Sequence, residues 1–259
     1  RENTRTGRSP QDVVNDAMWG VFQTGWREPW GADADHIKTP EVLDSFVDAG
    51  YSMFTIDPGD YVDQHADEYP QELLENKLGE IPWDALNSSK PDLINCWLGK
   101  EVPALGIFYD EKVVLKAIIK YGKSIAHTAM MFREIIKRKH GSKFDFEISV
   151  DETDSPTNIA EHYFIANELR RLGVHWTSLA PRFVGRFEKG VDFIGDLEEF
   201  DHLMQLHAAV ANLVGGYKIS LHSGSDKFSV YPSVNRYSSG MLHVKTAGTS
   251  YLEALRVIA

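Results

Sequence analysis

Stretches with strand-like composition alternate with stretches of helical spacing along most of the chain, and this order restricts the fold more than any other feature. Short runs rich in β-forming residues predict strands at 51–60, 143–153, 174–182, 217–225 and 241–249. Helical spacing predicts helices at 9–25, 39–50, 110–141, 155–173, 196–216 and 249–259. Because strands that are separated by helices usually pair in parallel, we expect an α/β protein with a parallel sheet.

The segment 61–104 interrupts this alternation. Long connections of this kind often carry specificity elements, so we expect an insertion or lid over the mouth of a barrel. The whole of 1–259 is expected to form a single barrel domain around it. The chain begins with Arg1 rather than Met and ends inside an apolar helical pattern, so we also expect it to be a fragment of a longer protein.

Composition argues against several classes of function. Asp and Glu number 38 against 27 Lys and Arg, which gives a net charge of -11. A chain this acidic repels phosphate backbones, so no nucleic-acid partner is expected. No long apolar tract predicts a membrane span, so no membrane partner is expected either. Cys96 is the single cysteine, which rules out an internal disulfide, fits a cytoplasmic location and leaves histidines and carboxylates as metal ligands.

Polar side chains occupy one face of three predicted strands. Side chains alternate along a strand, and in 143–153 the apolar face is opposed by a fully polar one. A buried parallel strand is normally apolar on both faces, so the polar face is expected to line a site. The polar residues on these faces are Asp145, Glu147, Ser149, Asp151, Lys218, Ser220, His222, His243 and Lys245.

In a closed parallel barrel the carboxyl ends of the strands point into one mouth, where Asp151, Glu152, His222, His243 and Lys245 would converge. The stretch 30–40 adds Asp33, Asp35, His36 and Lys38. Imidazoles with a carboxylate suit Zn²⁺, Mn²⁺, Co²⁺ or Ni²⁺. No contiguous ligand motif such as H-E-x-x-H is present, and a single histidine near a strand end is more often a structural residue. Asp57 fits either a turn before Pro58 or a site position.

Several long strings carry a resemblance to a known family. They are "GADADHIKT", "FTIDPGDYVD", "FEISVDETDSPTNIAEHYFIANEL", "APRFVGRFEKGVDFIGD", "YKISLHSGSDKFSVYP" and "LHVKTAGTSYLEALR". Together they cover nearly the whole chain, which resembles the tagaturonate epimerases, enzymes that interconvert D-tagaturonate and D-fructuronate. The resemblance implies a TIM-type (β/α)8 barrel, incomplete at the termini in this chain, and a divalent-metal-dependent epimerase of hexuronate catabolism.

The resemblance also implies roles for individual residues. His36, His222 and His243 would be metal ligands, Asp35 the proton acceptor and Glu152 the proton donor. Asp151 and Glu147 are the alternative donors, and the alternation of side chains favours them. Lys218 and Lys245 would hold the carboxylate or hydroxyls of the substrate, and the remaining expected substrate contacts are Lys38, Asp57 and Asp151.

The chemistry of the interconversion agrees with these residue types. The two sugars differ at C4 in ketose numbering, a carbon that the ketone does not acidify, so enolisation cannot invert it. Retro-aldol cleavage and aldol re-addition can invert it. They require a base for the C4 hydroxyl proton and a group that stabilises the enediolate, and a bound divalent cation supplies the second. No G-x-G-x-x-G motif, the usual sign of a nicotinamide-binding site, follows a predicted strand, so the sequence does not support transient oxidation at C4. The alternatives are a metal-dependent aldolase or ketose isomerase, and a non-catalytic sugar-binding barrel. A sugar acid is the expected small-molecule partner, and a homo-oligomer is left open.

Overall fold

The structure is a computed structural model that describes residues 2–188, 190–246 and 255. Its strands are β1 (Asp33–Ile37), β2 (Met53–Ile56), β3 (Glu101–Val102), β4 (Ile107–Phe108), β5 (Asp145–Ser149), β6 (Ser178–Ala180), β7 (Lys218–Leu221) and β8 (Leu242–Val244). Six of them form one parallel sheet in the order β1-β2-β5-β6-β7-β8. The remaining two, β3 and β4, pair antiparallel in a separate hairpin.

The expectation of a TIM-type (β/α)8 barrel is wrong for this chain, which has an open six-stranded parallel sheet instead of a barrel that lacks only terminal pieces. In the part that the structure describes, β1 and β8 are the two edges of an open, curled sheet and do not pair with each other. Closure of such a barrel needs eight strands in one sheet, and the hairpin of β3 and β4 stands apart from the six that pair. Local sequence patterns predict strands and helices, but they do not count the strands that a closed sheet requires.

The described helices are α1 (Glu2–Thr6), α2 (Pro10–Thr24), α3 (Leu43–Asp48), α4 (Gln71–Lys77), α5 (Lys90–Trp97), α6 (Glu111–Lys139), α7 (Ile159–Arg171), α8 (Leu197–Val214) and α9 (Tyr231–Ser238). Five of the six predicted helices are confirmed as α2, α3, α6, α7 and α8. The sixth, 249–259, lies outside the described residues except for position 255. The five predicted strands are confirmed in shorter form, and β1, β3 and β4 are strands that the sequence patterns missed.

Side-chain caps explain where the long helices begin. The Asp110 carboxylate accepts a hydrogen bond from the Val113 N–H at the start of α6. Asn158 and Glu161 form a reciprocal capping box at the start of α7. Such caps satisfy amide groups that have no partner within the helix, so each helix starts at a defined residue. The helices therefore hold fixed positions against the sheet.

The two faces of the sheet differ in chemistry. One face is apolar and buried, with Phe54, Ile56, Phe146, Ile148 and Ile219 in the hydrophobic core. The other face carries buried polar residues at alternate positions, among them Thr55, Glu147, Ser149, Ser178 and Ser220. We call this second face the inner face. A polar inner face on a parallel sheet is what the sequence pattern predicted for β5 and β7.

The segment 61–104 contains α4, α5 and β3. The buried ammonium of Lys120 in α6 lies 2.6 Å from the Asp67 carboxylate, and the Trp97 indole donates to Glu168 of α7 at 2.7 Å. The Gln64 side chain accepts a hydrogen bond from the Asp154 N–H, beside the carboxyl end of β5. These contacts attach the segment to two helices and to one loop of the inner face. Its role as a lid stays a prediction.

Within the described residues, no helix combines the length and the apolar character that crossing a membrane requires.

Candidate active site

Two imidazoles and one carboxylate meet at the carboxyl ends of the strands. The rings of His36 and His222 lie 5.3 Å apart between centroids. His36, His222 and Asp151 each offer a ligand atom, and these atoms all lie within 4.8 Å of one another. We call these three residues the imidazole group. A second set of the same kind joins His36 to Asp57 and Glu152, so His36 belongs to both.

Unusual backbone conformations turn these side chains toward one another. His36 has a φ of 51°, within an irregularity in the pairing of β1 with β2 between Ala34 and Ile37. Ser223, directly after His222, has a φ of 48°. Residues other than glycine rarely adopt positive φ, and such conformations cluster at functional sites. The chain therefore departs from regular geometry at the two points that supply the imidazoles.

Glu147 lies beneath this group, at the middle of β5, and its carboxylate is fully buried. One oxygen lies 2.8 Å from His222 Nε2 and 3.0 Å from the Lys245 ammonium. The other lies 2.6 Å from His243 Nδ1 and accepts a hydrogen bond from the Ser178 hydroxyl. Burial alone would raise the pKa of Glu147, but these donors hold the pKa well below its ordinary range. The residue is a carboxylate that fixes two imidazoles.

One ring nitrogen of His222 is hydrogen-bonded to Glu147, and the other faces the site. Nε2 is bonded to Glu147, while Nδ1 lies 3.0 Å from an Asp151 oxygen without forming a hydrogen bond to it. Burial acts to lower the pKa of His222, but contacts with Asp151 and Glu147 outweigh it and raise the pKa to about 9. A ring that is held by a carboxylate at one nitrogen and left open at the other is the usual arrangement of a metal-binding histidine.

His36 shows the same pattern with Asp57. His36 Nδ1 and Asp57 Oδ2 lie 3.5 Å apart, and both are buried without a hydrogen-bond partner among the described residues. Burial lowers the pKa of His36, but Asp57, Asp35 and Asp151 together leave it raised. Buried polar atoms that lack partners are rare in folded proteins. Three such atoms, one on Asp57 and one on each imidazole, belong to residues of the two candidate ligand sets that share His36.

Two lysines near this site, Lys245 and Lys38, are each paired with carboxylates. The Lys245 ammonium lies 2.9 Å from Asp33 and is also paired with Asp35 and Glu147. The Lys38 ammonium lies 2.8 Å from Asp60 and 3.5 Å from Asp57. Burial acts to lower the pKa of Lys245, but the carboxylates of Glu147, Asp33 and Asp35 keep the pKa above its ordinary value. Both lysines are therefore already partnered by acidic residues.

The structure does not bring every predicted site residue to the imidazole group. His243 lies on the far oxygen of Glu147 and is not a member of the group among the described residues. Lys218 is the first residue of β7, at the opposite end of the strand from His222. Asp35 is exposed and pairs with Lys245, with its carboxylate 3.8 Å from His36 Nε2. Glu152 is exposed and lies beside Asp151 in the wall of a cavity.

A cavity of about 290 Å³ opens next to the imidazole group. Its wall includes Asp151, Glu152, Thr153, Pro181, Arg182, Phe183, Phe187, His222 and Ser223. Sequence reasoning assigned no role to Arg182, nor to Thr55, whose hydroxyl contacts Asp33, Glu147 and Lys245. The alternation that selected His222 also applies to β6, where Ser178, Ala180 and Arg182 share the inner parity. That signal was present in the sequence.

Comparison with known proteins agrees with the geometry. The family model described as tagaturonate epimerase matches residues 1–259. The chain belongs to the tagaturonate epimerase family. The resemblance seen in the sequence is thereby confirmed, and the family and relatives' names are those of an isomerase-class enzyme.

The named relatives are longer than this chain. A tagaturonate/fructuronate epimerase of Thermotoga maritima is 49% identical over 261 residues, covering 100% of this chain and 52% of the relative. The native crystal structure of fructuronate-tagaturonate epimerase UxaE from Cohnella laeviribosi matches with a TM-score of 0.91 and 38% identity, covering 100% of this chain and 52% of that chain. The same enzyme complexed with one glycerol matches with a TM-score of 0.90. The chain thus spans about half the length of these relatives.

Proposed function

We propose that this chain forms part of an enzyme that interconverts D-tagaturonate and D-fructuronate. The observation that carries the proposal is the imidazole group, in which His36, His222 and Asp151 offer ligand atoms within 4.8 Å of one another. Family membership supplies the substrate class, since the named relatives are tagaturonate/fructuronate epimerases. A cytoplasmic location, expected from the single cysteine, belongs to the same proposal.

A divalent cation fits the residues of this site. His222 Nδ1, His36 Nδ1 and Asp57 Oδ2 are buried atoms without hydrogen-bond partners in the described part of the chain. Imidazole nitrogens and carboxylate oxygens are the ligands that Zn²⁺, Mn²⁺, Co²⁺ and Ni²⁺ accept. His36, His222 and Asp151 would hold the ion. The resemblance implies His243 as a third imidazole ligand. In favour of this role, the Glu147 carboxylate contacts both His243 and His222 and so orients the two rings together.

The cation would supply a Lewis acid for the ketone and its neighbouring hydroxyl, which stabilises the charge that develops during carbon–carbon bond cleavage. The chain's own residues would move the protons. Asp35 is the proposed proton acceptor, since its carboxylate is exposed and lies near His36. Its pairing with Lys245 keeps that carboxylate at the site.

Glu152 is the proposed proton donor. Glu147 is disfavoured for this role, because its pKa lies well below the ordinary range and it carries no proton near neutral pH. Burial acts to raise the pKa of Asp151, but its contact with His222 outweighs this effect and leaves the pKa lowered. Glu152 lies in the cavity wall next to Asp151 and is exposed to a bound molecule.

Inversion at C4 would proceed by retro-aldol cleavage between C3 and C4, followed by aldol addition to the other face of the aldehyde. Asp35 would take the proton of the C4 hydroxyl as the C3–C4 bond breaks, and Glu152 would give a proton to the C4 oxygen when the bond forms again on the other face. The two carboxyl groups then exchange protons with solvent, so the cycle balances without an oxidant. Lys38, Asp57 and Asp151 would contact substrate hydroxyls. Lys245 would do so only through exchange of its present carboxylate partners, and Lys218 lies at the far end of β7.

The direct test uses the intact protein and D-fructuronate. We expect D-tagaturonate to accumulate to equilibrium, activity to disappear after chelation and return with a divalent cation, and His222→Gln to lose both bound metal and turnover. His65→Gln is the matched control, because the imidazole of His65 is exposed and pairs with Glu68. Deuterium from solvent found at C4 of the product would contradict the retro-aldol route. A protein that binds the sugar acid without converting it would contradict the function.

A further inference from the structure

Arg182 is held by its backbone at the carboxyl end of β6. Its N–H donates to the Thr157 hydroxyl at 3.0 Å, and its carbonyl accepts from the Thr157 N–H at 2.8 Å. The residue follows Ala180 by two positions, which directs it toward the inner face by strand alternation. Arg182 is therefore fixed on the same face as His222, in the wall of the cavity described above.

The guanidinium of Arg182 has no acidic partner in the described part of the chain. Its Nε is buried without a hydrogen-bond partner there. The cavity wall includes Asp151 and Glu152, yet no ion pair joins either of these carboxylates to Arg182; Asp151 instead contacts His222. In a chain with 38 acidic and 27 basic residues, a partly buried arginine without a counter-ion is unusual. A cation in this state favours binding of an external anion.

The other cations of the site are less suited to bind an anion. Lys245 is paired with Asp33, Asp35 and Glu147, and Lys38 with Asp57 and Asp60. A new anion at either lysine must displace a carboxylate. Lys218 lies at the other end of β7. Neither Lys218 nor Lys245 is therefore well placed for the carboxylate-binding role that the resemblance implies.

We propose that Arg182 binds the carboxylate of the sugar-acid substrate and so selects a uronate over a neutral ketose. The inference rests on the proposed function for the identity of the substrate. A guanidinium presents two parallel N–H donors that match the two oxygens of a carboxylate. Phe183 and Phe187 form part of the same wall, and apolar neighbours that exclude water strengthen a charge-assisted hydrogen bond. The reacting carbons would then lie toward His36 and His222.

The test compares two ligands that differ only at C6. D-fructuronate carries a carboxylate where D-fructose carries a hydroxymethyl group, and their dissociation constants are measured by calorimetry on the intact protein at epimerisation equilibrium. We expect the wild type to bind the acid more tightly. Arg182→Gln is expected to weaken fructuronate binding by about 10- to 100-fold and to change fructose binding less than about twofold. Arg182→Lys keeps the charge but lacks the two parallel N–H donors of the guanidinium, and it is expected to give an intermediate loss of fructuronate affinity.

Arg186→Gln is the matched control, because it removes the same charge from the same loop, where the guanidinium is exposed and lies 3.6 Å from Glu188. Equal effects of Arg182→Gln and Arg186→Gln would overturn the proposal. So would equal affinities of the wild type for the two ligands, a result that does not depend on whether any variant folds.

Turnover separates this inference from the function. Conversion of fructuronate by both the wild type and Arg182→Gln with the same KM would refute the role of Arg182 and leave the epimerase intact. Binding of fructuronate that depends on Arg182 but is not followed by conversion would refute the epimerase function and leave the role of Arg182 intact.

Discussion

The ammonium of Lys245 lies 2.9 Å from the carboxylate of Asp33 and so joins the two edges of the open sheet through side chains. Asp33 begins β1, and Lys245 directly follows β8. The same ammonium lies 3.0 Å from Glu147 in β5, the strand between β2 and β6. The curl of the sheet therefore brings three strands to one charged cluster although its edge strands share no backbone hydrogen bonds.

Lys245→Met is expected to destabilise the protein by about 1–3 kcal/mol, because the half-buried carboxylate of Asp33 loses its ammonium partner while the buried carboxylate of Glu147 keeps its contacts with His222 and His243. The measurement is the free energy of unfolding from urea denaturation in the presence of a chelator. Lys123→Met is the control: its ammonium lies 2.9 Å from Glu80 with both side chains well exposed, and the loss is expected to stay below about 1 kcal/mol. Equal losses would show that the cluster does not hold the edges together.

Alternation of side chains predicted much of the inner face from sequence. Glu147, His222 and His243 were expected on one polar face, and the structure joins all three through the Glu147 carboxylate. The long helices were also predicted, because their apolar spacing and terminal residues are local properties of the chain. Local patterns of this kind extend over a few residues, and they were reliable where one element alone decided the outcome.

Features that depend on several elements could not be predicted. The sequence "DADHI" of β1 has too few β-forming residues to indicate a strand, and it becomes one by pairing with β2. The closure of the sheet depends on how many strands pair, which no single strand encodes. The contact of His36 with His222 depends on a positive φ at His36. Asp151, rather than His243, meets these imidazoles for the same reason: the meeting point is set by tertiary geometry.

Glu147→Gln is expected to weaken binding of the proposed divalent cation by about 10- to 100-fold, because a neutral amide orients the imidazoles of His222 and His243 less well than a carboxylate does. Competition with a fluorescent chelator gives the affinity. Glu161→Gln is the matched control, since Glu161 is also buried but pairs with Lys120 away from the imidazoles. An unchanged affinity in Glu147→Gln would mean that this carboxylate does not position metal ligands.

The stability of the protein is expected to fall as pH decreases because of a buried histidine pair. His162 Nδ1 lies 2.9 Å from His207 Nδ1, and the Tyr217 hydroxyl lies 2.7 Å from His162 Nε2. Burial lowers the pKa of His207 to about 3 and lowers the pKa of His162 as well. Since both folded values lie below the unfolded value near 6.5, this stabilisation is complete above that pH and is lost as the pH falls.

Between about pH 7 and pH 5 the expected loss from His207 alone is about 2 kcal/mol. His207→Gln should flatten the dependence of unfolding free energy on pH by that amount, whereas His65→Gln, at an exposed position, should leave the dependence unchanged. A difference in unfolding free energy between wild type and His207→Gln that is the same at both pH values would rule out a neutral buried pair, because this difference leaves out the opposite effect of His222, whose pKa is raised.

Gly224 lets the loop after β7 approach the end of β8. Its N–H donates to the Lys245 carbonyl at 2.8 Å, and a Cβ at this position would lie 2.5 Å from Val244 Cγ1 and 3.2 Å from two backbone oxygens. Gly224→Ala is therefore expected to destabilise the protein by about 1–3 kcal/mol through overpacking and to move Lys245 away from Asp33.

Gly20→Ala tests the same substitution without the crowding, because Gly20 lies inside α2 with nothing within 4 Å of the added carbon. It should stabilise the protein by roughly 0.5–1 kcal/mol, since glycine disfavours a helix interior. Thermal unfolding of the two variants gives the contrast in sign. If Gly224→Ala left the unfolding temperature unchanged, the loop would accommodate a Cβ, and the approach of the loop after β7 to the end of β8 would not require glycine.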